Sequence, residues 1–118
     1  MADITSGKYT FERLDVYRVA YDGLRIIVKY RQRMRGLPGE VASQMQRAAV
    51  STVANITEAF GREGNDRKHR LSIARGEANE TGAMIEIATL FGVFSESDYQ
   101  ALRSSYLRVT YMLTALMR

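Results

Sequence analysis

The stretch Gln44–Arg62, QMQRAAVSTVANITEAFGR, decides how this chain folds. Gln44, Arg47, Ser51, Asn55, Glu58 and Arg62 recur there at steps of 3, 4, 4, 3 and 4. At about 100° per residue these side chains share a helical arc of roughly 80°, opposite Met45, Ala49, Thr52, Val53, Ile56 and Phe60. A bundle helix needs one apolar face of a little over about 100°. This one offers more, from Ala59 round through Met45, Ile56, Phe60 and Val53 to Val50. The excess predicts a helix enclosed on most sides, with its second apolar flank against another subunit. In that setting Gln44, Arg47, Ser51, Asn55 and Glu58 read as a structural polar seam that fixes helix register. An unpaired buried polar group costs about 1–3 kcal/mol, so the seam calls for partners, with Arg75, Asn79 and Glu86 of the next helix as candidates.

Outward from this segment, three more helices are predicted. The first covers residues 15–35, with Leu14, Tyr17, Tyr21, Leu24 and Val28 repeating at 3, 4, 3 and 4 as a bundle seam. RGLPGE stops it, because Pro38 cannot continue the hydrogen-bond ladder. The second helix spans residues 40–60. The third spans 66–91, with Leu71, Ala74, Ala78, Thr81, Ile85 and Ala88 in register. The fourth spans 96–117, with Ser95 as N-cap and a seam of Tyr99, Leu102, Tyr106, Val109, Leu113 and Leu116. Small residues Ala74, Gly76, Ala78, Gly82 and Ala83 on the third helix predict close approach of another helix, since an interior Gly costs about 1 kcal/mol relative to Ala. Short turns between long helices give an all-α, antiparallel up-down four-helix bundle. Residues 9–118 form that single domain, and residues 1–8 read as a flexible tail.

Composition narrows the function. The chain has 118 residues, no cysteine and one histidine, His69. Disulfides, thiolate nucleophiles and the common zinc designs are therefore not expected. His69 is preceded three positions earlier by Asp66, which does not supply the Glu-x-x-His pairs of di-iron bundles. No catalytic residue, metal site or cofactor is predicted. A pocket built from Gln44, Arg47, Asn55 and Glu58 would string its groups along about 21 Å of helix, which suits a seam better than a compact site. No apolar run approaches the ~20 residues a membrane span needs, and with no hydrophobic signal core at the start a cytoplasmic protein is expected.

The net charge of +4 is unevenly placed: residues 1–70 carry 13 Lys/Arg against 8 Asp/Glu, and residues 71–118 carry 4 against 5. Lys29, Arg31, Arg33 and Arg35 gather at the end of the first helix, where its dipole favours cations. Arg62, Arg67, Lys68 and Arg70 surround the start of the third, where the dipole disfavours them. An anionic partner explains that placement, so both groups are candidate nucleic-acid-binding residues, for RNA or DNA backbone. A scaffold or protein-binding oligomer is the alternative.

QMQRAAVSTVANITEAFGR, then LSIARGEANET and LFGVFSESDY, resembles the bacterial family first noticed inside intervening sequences of large-subunit ribosomal RNA genes. That family is similar in fold to the accessory variability determinant protein of diversity-generating retroelements. Gln44, Arg47, Ala48, Ala49, Ser51, Asn55, Ile56, Glu58, Gly61 and Arg62 match its pattern, as do Leu71, Ile73, Ala74, Gly76 and Glu80. FERLDVYRVAYD stands where the family opens its first helix. Gln46 replaces one of a pair of arginines, Thr52-Val53 an Ile-Pro, Thr57 an alanine, Ala59 a glycine and Gly82 a glutamate. The resemblance implies a homopentamer of four-helix protomers. For the retroelement relatives it implies a basic surface that binds nucleic acid and a reverse transcriptase.

Overall fold

A computed structural model describes residues 2–3 and 7–118. Ala2–Asp3 (β1) pairs antiparallel with Lys8–Tyr9 (β2), and a 3-10 turn over Thr10–Arg13 leads into the bundle. Half of the expected tail, residues 1 and 4–6, lies outside the described residues. The four helices are α1 (Asp15–Lys29), α2 (Val41–Ala59), α3 (Gly64–Leu90) and α4 (Glu96–Leu116). Neighbours along the chain run antiparallel, α1 packs on α2 and α4, and α2 and α3 form the most extensive pairing.

That pairing follows from side-chain size. Ala48, Ala49 and Ala59 of α2 and Ala74, Ala78 and Ala88 of α3 are all buried, so the two backbones lie close. The inner line predicted for α3 is the line that the structure buries: Leu71, Ala74, Ala78, Thr81, Ile85 and Ala88. In α4 the centre of the predicted seam is buried at Leu102, Tyr106, Val109 and Leu113, while Tyr99 is half-buried and Leu116 exposed. Thr52 and Thr81 are buried polar residues, and each hydroxyl donates to the carbonyl four residues back, Thr52 to Ala48 at 2.8 Å and Thr81 to Glu77 at 2.8 Å.

Helix α1 departs from the expectation. Its core face is Val16, Val19, Ala20, Gly23 and Ile27. The predicted seam lies about 125° round the helix, with Leu14, Tyr17 and Leu24 half-buried and Tyr21 and Val28 exposed. The reason is at Gly23: the Tyr106 ring of α4 comes within 2.8 Å of where a Cβ would stand. The small inner face of α1 lets the larger α4 side chain cross the core. Tyr106 arrives with a deficit, because its hydroxyl is buried without a hydrogen-bond partner. Burial alone pushes that phenol's pKa far up.

The end of α1 also comes earlier than expected, at Lys29 rather than Arg35, with a separate 3-10 turn over Arg33–Gly36. Tyr30 turns inward, its ring edge-on to Phe94 at 4.9 Å. Its hydroxyl donates to Asp98 at 2.5 Å and accepts from the Ser95 amide at 3.2 Å. Ser95 caps α4 as predicted, accepting from the Asp98 amide at 3.1 Å. Lys29 closes the group with an ion pair to Asp98 at 2.9 Å. The Tyr30 hydroxyl first, then Lys29, hold the Asp98 carboxyl below the usual carboxylate range.

The small residues of α3 have two destinations. Ala74 and Ala78 face the core, but Gly76 and Gly82 have nothing within 4 Å of a would-be Cβ. No neighbour inside the protomer requires these two glycines, contrary to the expectation of close approach.

Candidate nucleic-acid interface

Up-down topology places the two basic groups at opposite ends of α2, about 28 Å apart for its 19 residues. At the α1 end, Lys29 is committed to Asp98, and the Arg33 guanidinium lies 5.7 Å from the Tyr30 ring centroid. Arg31 and Arg35 are exposed and have no ion-pair partner among the described residues. At the α2–α3 end, Arg62 donates to Glu58 at 2.6 Å and 3.0 Å and also faces Asp66 at 3.9 Å. The hydrogen bond from Arg62, reinforced by its charge, lowers the Glu58 pKa.

Arg67 does a different job from the one its sequence position suggests. Its Nε donates to the carbonyls of Arg62 at 2.9 Å and Ala59 at 3.2 Å, and its guanidinium lies 4.7 Å from the Phe60 ring centroid. Ala59 is the last residue of α2 and Arg62 lies in the turn that follows it, where regular helical hydrogen bonding ends. Arg67 is therefore a C-terminal cap delivered from α3. The sequence carried a signal for this, an aromatic residue at the helix end and an arginine seven positions on, but the intervening turn hid their proximity.

Helix α3 begins at Gly64, two residues before the expected start. Lys68 and Arg70 consequently sit past the first turn, where the dipole effect has faded. The dipole argument for an anion at this position loses its force. What remains is simpler. Lys68 is exposed and Arg70 half-buried, and neither has an ion-pair partner among the described residues. Arg70 lies near enough to Glu58 to help lower its pKa, as a minor contribution behind that of Arg62.

The polar line of α2 finds its partners along its own helix. Asn55 donates to the Ser51 carbonyl at 2.9 Å and to its hydroxyl at 3.0 Å. Gln44 donates to Glu40 at 3.4 Å, and Glu58 takes Arg62. Arg47 and Glu58 are exposed, while Gln44, Ser51 and Asn55 are half-buried. The candidates on α3 turn to α4 instead: Arg75 donates to Thr114 at 3.2 Å, and Glu86 accepts from Tyr99 at 2.8 Å and pairs with Arg103 at 3.3 Å. Asn79 is exposed. Apart from the exposed Arg47, the line is thus satisfied along its own edge of the protomer, because four-residue spacing brings these polar groups within reach of the next turn.

Among the described residues there is no group of three or more His, Cys, Asp or Glu placed to hold a metal ion. No helix among them is long and apolar enough to cross a membrane. What the two ends offer is separate cations spaced along a rod whose principal extents are 42, 29 and 21 Å.

A search of curated proteins gives no match. Among solved structures, the chain is similar to a protein of unknown function from the S23 ribosomal protein family of Bacteroides thetaiotaomicron. The two share 22% identity at a TM-score of 0.77, over 87% of this chain and 98% of the other. That likeness shows the same helical fold. The sequence profile of the 23S rRNA-intervening sequence proteins matches residues 12–115, nearly the whole bundle. The chain belongs to the family of 23S rRNA-intervening sequence proteins.

Proposed function

We propose that this protein is a non-enzymatic, cytoplasmic accessory factor that assembles as a homo-oligomer and binds the backbone of RNA or DNA through repeated basic patches. The observation that carries this reading is the set of cations without an ion-pair partner among the described residues at the two ends, Arg31 and Arg35 at one and Lys68 and Arg70 at the other. Two or so cations per end bind phosphate weakly, and assembly multiplies them, which matters because phosphate contacts accumulate. The family's association with ribosomal RNA intervening sequences supports a role near nucleic acid. A pentameric ring, a reverse-transcriptase partner and kinship with the retroelement accessory protein extend the same reading, on the strength of the sequence resemblance.

The test is binding of labelled single-stranded RNA and duplex DNA across a salt series. The Lys68→Ala/Arg70→Ala and Arg31→Ala/Arg35→Ala pairs should each weaken binding and flatten its salt dependence, without lowering the melting temperature. Unchanged affinity in both double variants rejects the reading. Arg67→Ala belongs outside this set, since its role is to cap α2.

A second reading, an oligomeric scaffold that binds only protein, draws on the exposed apolar side chains of α1 and α4. Tyr21, Val28, Leu107 and Tyr111 lie on the surface of one protomer, more large apolar groups than an isolated small bundle needs to display. Absence of nucleic-acid binding at low salt, with assembly intact, favours this second reading.

A further inference from the structure

The edge where α3 meets α4 carries cations that no carboxylate answers. Arg75 of α3 donates to the Thr114 hydroxyl of α4 at 3.2 Å, and Thr114 donates on to the Thr110 carbonyl at 2.9 Å. That neutral contact uses one of the five N–H donors of a guanidinium, and among the described residues no ion pair takes the rest. Lys68 stands seven residues earlier, two turns and about 10 Å along the same stripe of α3, and is exposed. Arg70 lies about 160° round the helix from Lys68, on the side of α2, where it approaches Glu58. The two cations therefore serve different faces.

On α4, Arg108 and Thr114 stand three residues before and after Tyr111, the spacing of neighbours on a helix surface. Arg108 is exposed and has no ion-pair partner among the described residues. Tyr111, at 71%, is the most exposed aromatic side chain among them and touches no other ring, cation or hydrogen-bonding group. The rings of Tyr9, Phe11, Tyr17 and Tyr21, by contrast, occupy one another, with successive centroids 5.2, 5.0 and 5.8 Å apart. Acid is absent from this edge. Residues 99–118 contain no Asp or Glu. The stripe of α3 that faces α4 has none from Lys68 as far as Glu86, which Arg103 and Tyr99 engage. On α1, across α4, Asp15 and Asp22 face Arg18 and Arg25 of their own helix.

We propose that the α3–α4 edge holds a single strand of nucleic acid, with an unpaired base stacked on Tyr111 and the flanking phosphates on Arg75, Arg108 and Lys68. This rests on the reading that the chain binds nucleic acid, and narrows the ligand to unpaired strands. A purely apolar partner leaves three cations unanswered. A duplex leaves the ring unused, because its bases already stack on their neighbours and only its phosphates reach the edge. An unpaired strand satisfies both. Every base has a face that stacks on an aromatic ring, so the contact needs no sequence motif.

The test is fluorescence anisotropy of labelled single-stranded RNA and labelled duplex DNA, with circular dichroism to verify that each variant is folded. Tyr111→Ala should weaken single-strand affinity about ten-fold while leaving duplex affinity and the salt slope unchanged. Tyr111→Phe, which keeps the ring, should restore the parent's affinity. Lys68→Ala/Arg108→Ala, at two exposed sites, should weaken both ligands and flatten the salt dependence of both. Equal losses on RNA and duplex in Tyr111→Ala, or no loss on either, overturn the stacking proposal while nucleic-acid binding stands. A parent protein that binds neither ligand at the lowest salt overturns the underlying reading, and this proposal with it.

Discussion

Helices α1 and α3 make opposite use of the same kind of pattern. The spaced apolar line of α3 faces the core, and the larger apolar residues outside it, Ile73, Met84 and Ile87, are only half-buried. Helix α1 carries two apolar lines, one of smaller residues that packs inward and an aromatic-rich one that is half-buried at Leu14, Tyr17 and Leu24 and exposed at Tyr21 and Val28. Helical spacing identifies a face without saying what that face meets. In α1 the bulkier line looks like the better core, yet the small line is the one buried, because α4 sends Tyr106 across to Gly23.

The comparison can be broken at the core first. Ile27→Ala on the inner line of α1 and Ile85→Ala on α3 should each cost about 2–5 kcal/mol in chemical denaturation, since both side chains are almost fully buried. Tyr21→Ala on the outer line of α1 should cost the protomer less than about 0.5 kcal/mol, the usual range for a surface site. Equal losses at Ile27 and Tyr21 would mean that the two lines are not distinct in role. Next in size is Arg67→Ala, which removes two capping bonds and a ring contact and should lower stability by about 1–2 kcal/mol. Loss of that arginine without any change in melting would show that α2 does not depend on its borrowed cap.

Two substitutions should stabilise the protomer. Tyr106→Phe removes a buried hydroxyl without a partner and is expected to gain about 1 kcal/mol, with the ring still packed on Gly23. Gly82→Ala should gain about 0.5–1 kcal/mol, because the helix is favoured and the space is open. A loss of stability in Gly82→Ala would show that the space beside residue 82 is not open. The smallest effect concerns acid. The folded pKa of Asp98 is lowered by Tyr30 and Lys29, so its contribution is present above the unfolded carboxyl value and is lost as pH falls through the folded one. Asp98→Asn should flatten the acid limb of the stability profile in that window, read by melting temperature against pH. An acid limb identical to the parent's would exclude Asp98 as its source.

Much of the fold was legible because the bundle uses long helices with sharp stops. Ser95 caps α4, Gly92 ends α3 with a left-handed backbone at φ 72°, and Pro38 keeps α1 and α2 apart. The inner line of α3 could be read whole, since its six members keep an unbroken spacing of three and four residues from Leu71 to Ala88. The site was less legible. Arg62 and Arg67 count as cations in the sequence, but one is paired along its own helix and the other folds back over a turn to carbonyls. Only the structure separates cations spent on the fold from those left for a partner. The polar line of α2 misled for a related reason: four-residue spacing, taken as a seam between helices, is also the spacing at which side chains satisfy one another.

The most direct test of the central claim is the salt dependence of RNA affinity for the unmodified protein. A single protomer that offers Arg31, Arg35, Lys68 and Arg70 to one single strand would give a log–log slope of about −2.8. Repeated patches on an assembly predict a steeper slope than that. Affinity that does not change with salt, or no binding at the lowest salt used, would contradict the claim.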